Sequence, residues 1–171
     1  MLAVSDSTPL IHLAKIKKID LLKVLFKKIY IPNEVYQEVV INGKEKSQNE
    51  IFLIEEKLKE KFIEIKETSL NLEVNNIHIG ERKAINLCQE LKIKNLLIDD
   101  KDGYNIAEIL GLNPIRTTGL FLILLDKNII NLDEYEKSLK ELSESRYFID
   151  AETYQRLITA GRNKMHSKNK N

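Results

Sequence analysis

The sequence predicts an α/β fold, a three-layer sandwich around a central, mostly parallel sheet. Two observations carry this. Short apolar runs of strand length alternate with segments whose apolar residues recur at helical spacing. Strands joined through helices pair in parallel and stack between helical layers. A third observation sets the scale: 171 residues with no internal repeat and no linker make one domain of ordinary size.

In chain order, Leu2-Ala3-Val4-Ser5 reads as a buried strand ending at Asp6. Thr8-Pro9 fits an N-cap followed by Pro at the first helical position, with Leu10, Ile11, Leu13 and Ala14 as the apolar side. Leu21, Leu22, Val24 and Leu25 suggest a short helix, Lys28 to Ile31 a strand, and Pro32 opens a helix through Glu34, Val35, Glu38 and Val39. Residues 42–49 are polar and read as loop. Ile51, Ile54, Leu58 and Phe62 recur at helical spacing, Phe62 to Ile65 alternates like a strand, and 68–78 reads as loop. Gly80-Glu81 starts a clear helix with Ala84, Ile85, Cys88 and Leu91 inward. Asn95 to Asp99 is the best strand. Ile106, Ala107, Ile109 and Leu110 mark the next helix, closed by Gly111; Pro114 to Arg116 is a short strand, and Gly119 to Leu125 a very apolar helix. Leu132, Tyr135, Leu139 and Leu142 mark another helix, and Asp150 caps a last one with Ile149 able to staple against Tyr154. Residues 162–171 are basic with almost no apolar anchor and are expected to be a disordered tail that touches RNA phosphates at most loosely.

Composition excludes several classes. The hydrophobic fraction of 43% and charged fraction of 31% fit a soluble globular chain. No apolar run approaches the roughly 18 residues of a membrane span, and the N-terminus lacks the basic start of a signal peptide, so the expected location is cytoplasmic. The single cysteine, Cys88, rules out an internal disulfide or a cysteine zinc cage and reads as a core thiol. His12, His78 and His166 are far apart. A bound metal would therefore take oxygen ligands, which suits Mg²⁺ or Mn²⁺. A net charge of +1 gives no electrostatic argument for nucleic acid. With no G-x-G-x-x-G and no G-x-x-x-x-G-K-[ST], nucleotide-cofactor readings have no support.

The chemistry lies in the acids. Ligands of open parallel sheets gather at the carboxyl ends of the strands. Asp6 ends the first strand and Asp99-Asp100 the best one, so residues over 90 positions apart meet at one edge. Glu81 lies in the first turn of its helix, and Glu38 one turn after Glu34 on another. Each has a bland reading: Asp6, Asp99, Asp100 and Asp102 as caps, Glu81 as a complement to a helix dipole, Glu38 as part of a solvated face. Two carboxylates 4 Å apart repel by about 1 kcal/mol in water and about 4 at an effective dielectric of 20. A convergence of four therefore calls for a cation.

These segments resemble, in order, those of the PIN domain family, especially a VapC-like subgroup of predicted nucleases. The matching stretches are Val4 to Ile11, Tyr30 to Glu38, Gly80 to Ile85, Leu96 to Asp100, Thr117 to Leu120, and Arg146 to Gly161. Together they cover most of residues 1–161, the expected PIN-like domain. The resemblance implies that Asp6, Glu38, Glu81 and one of Asp99 or Asp100 are catalytic acids holding Mg²⁺ or Mn²⁺. Asp99 fits the subgroup better, Asp100 follows closely, and Glu34 is a lesser rival to Glu38. Many PIN domains carry Asp where Glu81 stands here. Ser7, Thr8 and Thr118 are expected to orient a ligand or the phosphate, unless they only cap helices.

The implied function is a metal-dependent endoribonuclease, the toxin of a toxin–antitoxin pair, dimeric and blocked by a small antitoxin. The alternative is a PIN-like nucleic-acid-binding or regulatory module without catalysis. A phosphoaspartate enzyme is a third reading, but Asp6 is followed by Ser7 and Thr8 rather than by a second Asp two residues on.

Overall fold

The computed structural model describes residues 1–45, 50–72 and 77–168. The chain divides into two compact units, Met1–Arg116 and Thr117–Asn171.

The first unit holds the sheet. Its strands are β1 (Leu2–Ser5), β2 (Lys28–Ile31), β3 (Ile63–Ile65), β4 (Asn95–Leu97) and β5 (Asn113–Ile115), all parallel, in the order β3-β2-β1-β4-β5. Val4 stands between Tyr30 and Leu96 in the central register. Ala3, Val4 and Ser5 are all buried, as are Leu96 and Leu97. Successive strand residues face opposite sides, so both faces of the sheet's centre are covered. This is the three-layer α/β sandwich that the alternating pattern predicts.

Its helices are α1 (Ser7–Lys15), α2 (Leu22–Leu25, after a 3₁₀ turn at Ile19–Leu21), α3 (Asn33–Tyr36), α4 (Asn42–Glu45), α5 (Ile51–Lys59), α6 (Ile79–Leu91) and α7 (Lys101–Ile109). A π-helical turn, Gln37–Ile41, runs straight from α3 into α4. Residues 42–45 are thus helical rather than loop, and 46–49 lie outside the described residues. Asp6, not Thr8, stands at the N-cap of α1. Pro9 sits within the first turn, where no N–H partner is required.

On α6, Ala84, Ile85 and Cys88 pack into one apolar cluster with Val4, Leu96 and Ile98. Burial pushes the Cys88 thiol far up, out of the range of a nucleophile. Leu91, expected on the same face, is 37% exposed, because the helix ends there and Lys92 turns the chain through a left-handed φ of 55°.

The second unit consists of α8 (Thr117–Asp126), α9 (Leu132–Glu144) and α10 (Ala151–Lys168). Leu120, Phe121, Leu124, Tyr135, Leu139 and Leu142 form its buried interior. Asp150 caps α10 as expected, its Oδ1 accepting from the Thr153 N–H at 2.8 Å.

Residues 162–168 of the expected tail belong to α10, which runs from Ala151 to Lys168. Gly161 is not a breaker here. A Cβ on it would lie 2.4 Å from Cε1 of Tyr135, so the bare backbone is what lets α10 lie against that ring. Beyond it, Arg162 donates to Glu136 at 2.8 Å and Lys164 pairs with Asp126 at 2.9 Å. Residues 169–171 are outside the described residues.

Candidate functional site

The strand order reverses beside β1. The chain moves outward from β1 to β2 and β3 on one side, then returns to β4 and β5 on the other. β1 and β4 are hydrogen-bonded neighbours whose onward connections diverge, which leaves a crevice at their carboxyl ends. Asp6 is the residue after β1. Its N–H donates to the Leu97 carbonyl at 2.9 Å, locking the end of β1 to the end of β4. Asp99 and Asp100 follow β4 within three residues.

Asp6 is 2% exposed. Although it holds the N-cap position of α1, it makes no side-chain capping bond. Its pKa is pushed up to about 7. Burial is the largest cause; the backbone N–H of Ser7 opposes it, the charges of Glu81 and Glu38 add to it, and the Thr8 N–H opposes it again. Ser7 is buried and Thr8 half-buried beside it.

Glu81, 7% exposed, accepts from the His78 N–H at 3.0 Å, the reciprocal bond of a capping box at the start of α6. Its pKa is also raised. Burial leads, the His78 N–H opposes, and Asp100 and Glu38 raise it further. Glu38 is exposed and lies in the π turn, a distortion that recurs at functional sites. Between these acids lies Gly80. A Cβ placed on it would stand 3.4 Å from Glu38 Oε2 and 3.5 Å from Asp6 Oδ1.

Glu81 and Glu38 therefore act on Asp6, and Asp100 and Glu38 on Glu81, at this edge of the sheet. Asp100 has a second role: its Oδ1 accepts from the N–H groups of Asp102 and Gly103 at 2.9 and 2.8 Å and caps α7. The sequence favours Asp99 over Asp100, yet Asp100 is the foremost charge acting on Glu81. Asp99 is half-buried at the same strand end and has an interaction of its own. Glu34 sits in the first turn of α3. Thr118 belongs to the second unit, buried in the first turn of α8.

The sequence of a family described as PIN domain matches residues 2–162. The chain belongs to the PIN domain family. PIN domains are generally nucleases, and the family implies a nucleic-acid substrate. Among solved structures, a PilT N-terminus domain protein from the hyperthermophilic archaeon Sulfolobus solfataricus P2 is similar at 22% identity and a TM-score of 0.48, covering 70% of this chain and 90% of that one. No curated protein matches the sequence.

PIN domains typically use divalent metal ions. The residues of this crevice fit such an ion in kind. All are carboxylates, hard oxygen donors. Burial and like-charge repulsion keep Asp6 from ionising easily, and the missing Cβ of Gly80 leaves room against two of the oxygens. In arrangement they are not yet a cage: among the described residues, no three His, Cys, Asp or Glu form a group set to hold a metal. Two of the acids, Glu81 and Asp100, are turned to their helix caps instead.

Two features of this edge escaped the sequence reading. One is the role of Gly80, for which only its place beside Glu81 was a signal. The other is a stack on β5's side, where the Arg116 guanidinium lies 4.8 Å from the centre of the Tyr104 ring. An Arg directly after a strand of the parallel sheet was the available clue.

Proposed function

We propose that the protein is a Mg²⁺- or Mn²⁺-dependent endoribonuclease hydrolysing RNA phosphodiesters, with Asp6, Glu38, Glu81 and one or both of Asp99 and Asp100 as the metal-holding acids. One observation carries this reading: a carboxyl, Asp6, is buried at the switch point of a parallel sheet, its pKa pushed up to about 7 by that burial first and by the charges of Glu81 and Glu38 in addition. A structural carboxylate is normally given a cation or full hydrogen bonding by its own chain. This one faces further acids.

When bound, the ion supplies activation of an attacking water and neutralisation of charge on the phosphodiester. The chain's part is to supply oxygens, those of Asp6 and Glu81 buried and those of Glu38 and Asp100 open to solvent. Asp6 is held by the β1–β4 ladder, Glu81 by the start of α6, and Asp100 by the start of α7, so the acids project from packed elements. Glu81, whose Oε2 accepts from the His78 N–H, would be one of the residues holding the ion. Ser7 and Thr8 are proposed to orient ligand or phosphate. The reading extends to a cytoplasmic toxin of a toxin–antitoxin pair, a homodimer held in check by a small antitoxin. No helix among the described residues is long and apolar enough to cross a membrane.

A second reading, a PIN-like nucleic-acid-binding module without catalysis, is favoured by the lack of a ready three-ligand group among the described residues. One assay separates the two. Single-stranded RNA incubated with the protein in Mg²⁺, in Mn²⁺ and in EDTA is expected to be cut only with metal. Equal cleavage in EDTA and Mg²⁺ overturns the metal mechanism, and binding without cleavage in either ion selects the second reading.

A further inference from the structure

We propose that Arg116, laid on the ring of Tyr104, contacts an unpaired nucleotide of the RNA next to the scissile phosphate. This rests on the nuclease reading of the acidic crevice and adds a substrate-recognition residue to it.

The register brings Arg116 to the site. Ser5, Leu97 and Ile115 form the last paired row across β1, β4 and β5. The ladder continues one step further, with Asp6 N–H to Leu97 O at 2.9 Å and Ile98 N–H to Ile115 O at 3.1 Å. Asp6, Ile98 and Arg116 are therefore the next row. Arg116 stands two strands from Asp6, about 10 Å at the usual strand spacing.

The ring beneath it is fixed from the same place. Tyr104 lies one turn into α7, and its N–H donates to the carbonyl of Asp100 at 2.9 Å. Its side chain packs half-buried against the cluster containing Val4, Leu96 and Ile98. The guanidinium lying 4.8 Å from its centre is a cation–π contact.

The chemistry points to a single-stranded nucleic acid. An all-acid crevice repels phosphate, so a substrate strand needs a cation at the rim. Lys101 is nearby but exposed on a flexible stem. Arg116 is half-buried and pre-positioned on an aromatic plane. A guanidinium held this way presents donors at its edge for a phosphate and a flat outer face for an unpaired base, which an ammonium cannot do. Ordering one rather than both groups on binding also lowers the entropic penalty.

The test uses the full chain. Binding of a fluorescent single-stranded RNA is followed by anisotropy in Mg²⁺ over a salt series with Asp6→Asn as parent, and cleavage is followed with the wild type as parent. Arg116→Gln is expected to weaken binding and raise KM about tenfold, with kcat nearly kept, and to lower the salt slope by about 1. Its melting temperature should stay close to the parent's, which a purely structural stack would not allow. Arg116→Lys should restore the salt slope without restoring affinity. Unchanged binding and slope in Arg116→Gln, full rescue by Lys, or no RNA binding by the parent each overturn the inference. If Arg116→Gln binds like its parent while the wild type cleaves, the inference fails and the nuclease reading stands. If the wild type never cleaves but Arg116→Gln still weakens binding, the nuclease reading fails and the contact survives.

Discussion

The first unit buries charge in two places and treats it in opposite ways. On α5, Lys57 is 2% exposed. Its ammonium meets Asp20 at 2.8 Å and Glu60 at 3.4 Å, acids that reach solvent, while Lys23 bridges to Glu60 at 2.5 Å and Asp20 at 3.3 Å. Desolvation pulls the Lys57 pKa down, and the bond to Asp20 with the other contacts more than reverses it. At the carboxyl edge of the sheet, Asp6 is as deeply buried, yet its charged neighbours Glu81 and Glu38 share its sign. One cluster balances its charges within the chain; at the other, Glu81 and Glu38 add like charge to Asp6, which is the imbalance the proposed ion would relieve. Opposite signs at such a cluster indicate structure, and like signs indicate a site.

The largest effect that sharpens this contrast is on activity. Asp6→Asn keeps size and burial but removes a charge, and is expected to lower RNA cleavage in Mg²⁺ about 10³-fold or more, as loss of a group at a reacting centre does. Circular dichroism should show the fold intact. Cleavage within tenfold of wild type would break the assignment of the crevice.

Next is stability against pH. The Asp6 pKa of about 7 in the fold lies above its ordinary 3.8, so the folded state holds a proton that the unfolded chain releases between those values. Without metal, the Asp6 contribution to stability is full below about pH 4 and falls away as pH rises through 7. Linkage caps it at about 4 kcal/mol. His12 slopes the other way: burial and then Lys15 lower it to about 4, so it favours the fold as pH rises from 4 to its ordinary 6.5. The measurement is therefore the difference between wild type and Asp6→Asn in chemical denaturation from pH 4 to 8. The variant should gain on wild type toward pH 8 in EDTA, and Mg²⁺ should close the gap. A flat difference contradicts the strained carboxyl.

Lys57→Met probes the balanced cluster. Its acids stay solvated and the methionine keeps most of the stem packing. The expected loss is about 1 kcal/mol, unaffected by Mg²⁺ and without effect on cleavage. A metal-dependent change in melting temperature in this variant would erase the distinction between the two clusters.

The parts of this picture that local pattern governs were legible in the sequence. Strand runs such as Leu2 to Ser5 and Leu96 to Ile98 show by composition, and the rule that ligands gather at strand ends then joined Asp6 to the Asp99-Asp100 pair across the chain, with Asp99 favoured. What was hidden depends on partners distant in sequence. The need for a glycine at 161 shows only when Tyr135 is seen to fill the space of a side chain there, and the basic stretch after it reads as unanchored until Glu136 and Asp126 appear beside Arg162 and Lys164. The π turn that carries Glu38 has no sequence signature, and of the two readings of Asp100 the structure shows the cap of α7.

Gly80→Ala gives the smallest effect on stability and the most discriminating one. In helix propensity alone, alanine at an α6 position is worth up to about 1 kcal/mol over glycine. The added Cβ would stand 3.4–3.6 Å from Glu38 Oε2, Asp6 Oδ1 and Val35 Cγ2, ordinary contacts that demand no rearrangement of the fold. Stability should therefore hold or rise slightly. The same methyl group occupies space against two acids that a hydrated ion must reach, so cleavage should fall about tenfold with a weaker apparent affinity for Mg²⁺. A protein that becomes no less stable and yet less active locates the cost in the crevice. If Gly80→Ala cleaves as well as wild type at limiting Mg²⁺, the space beside Asp6 and Glu38 is not where the ion enters, and the bare Cα there serves only the packing of α6 against α3.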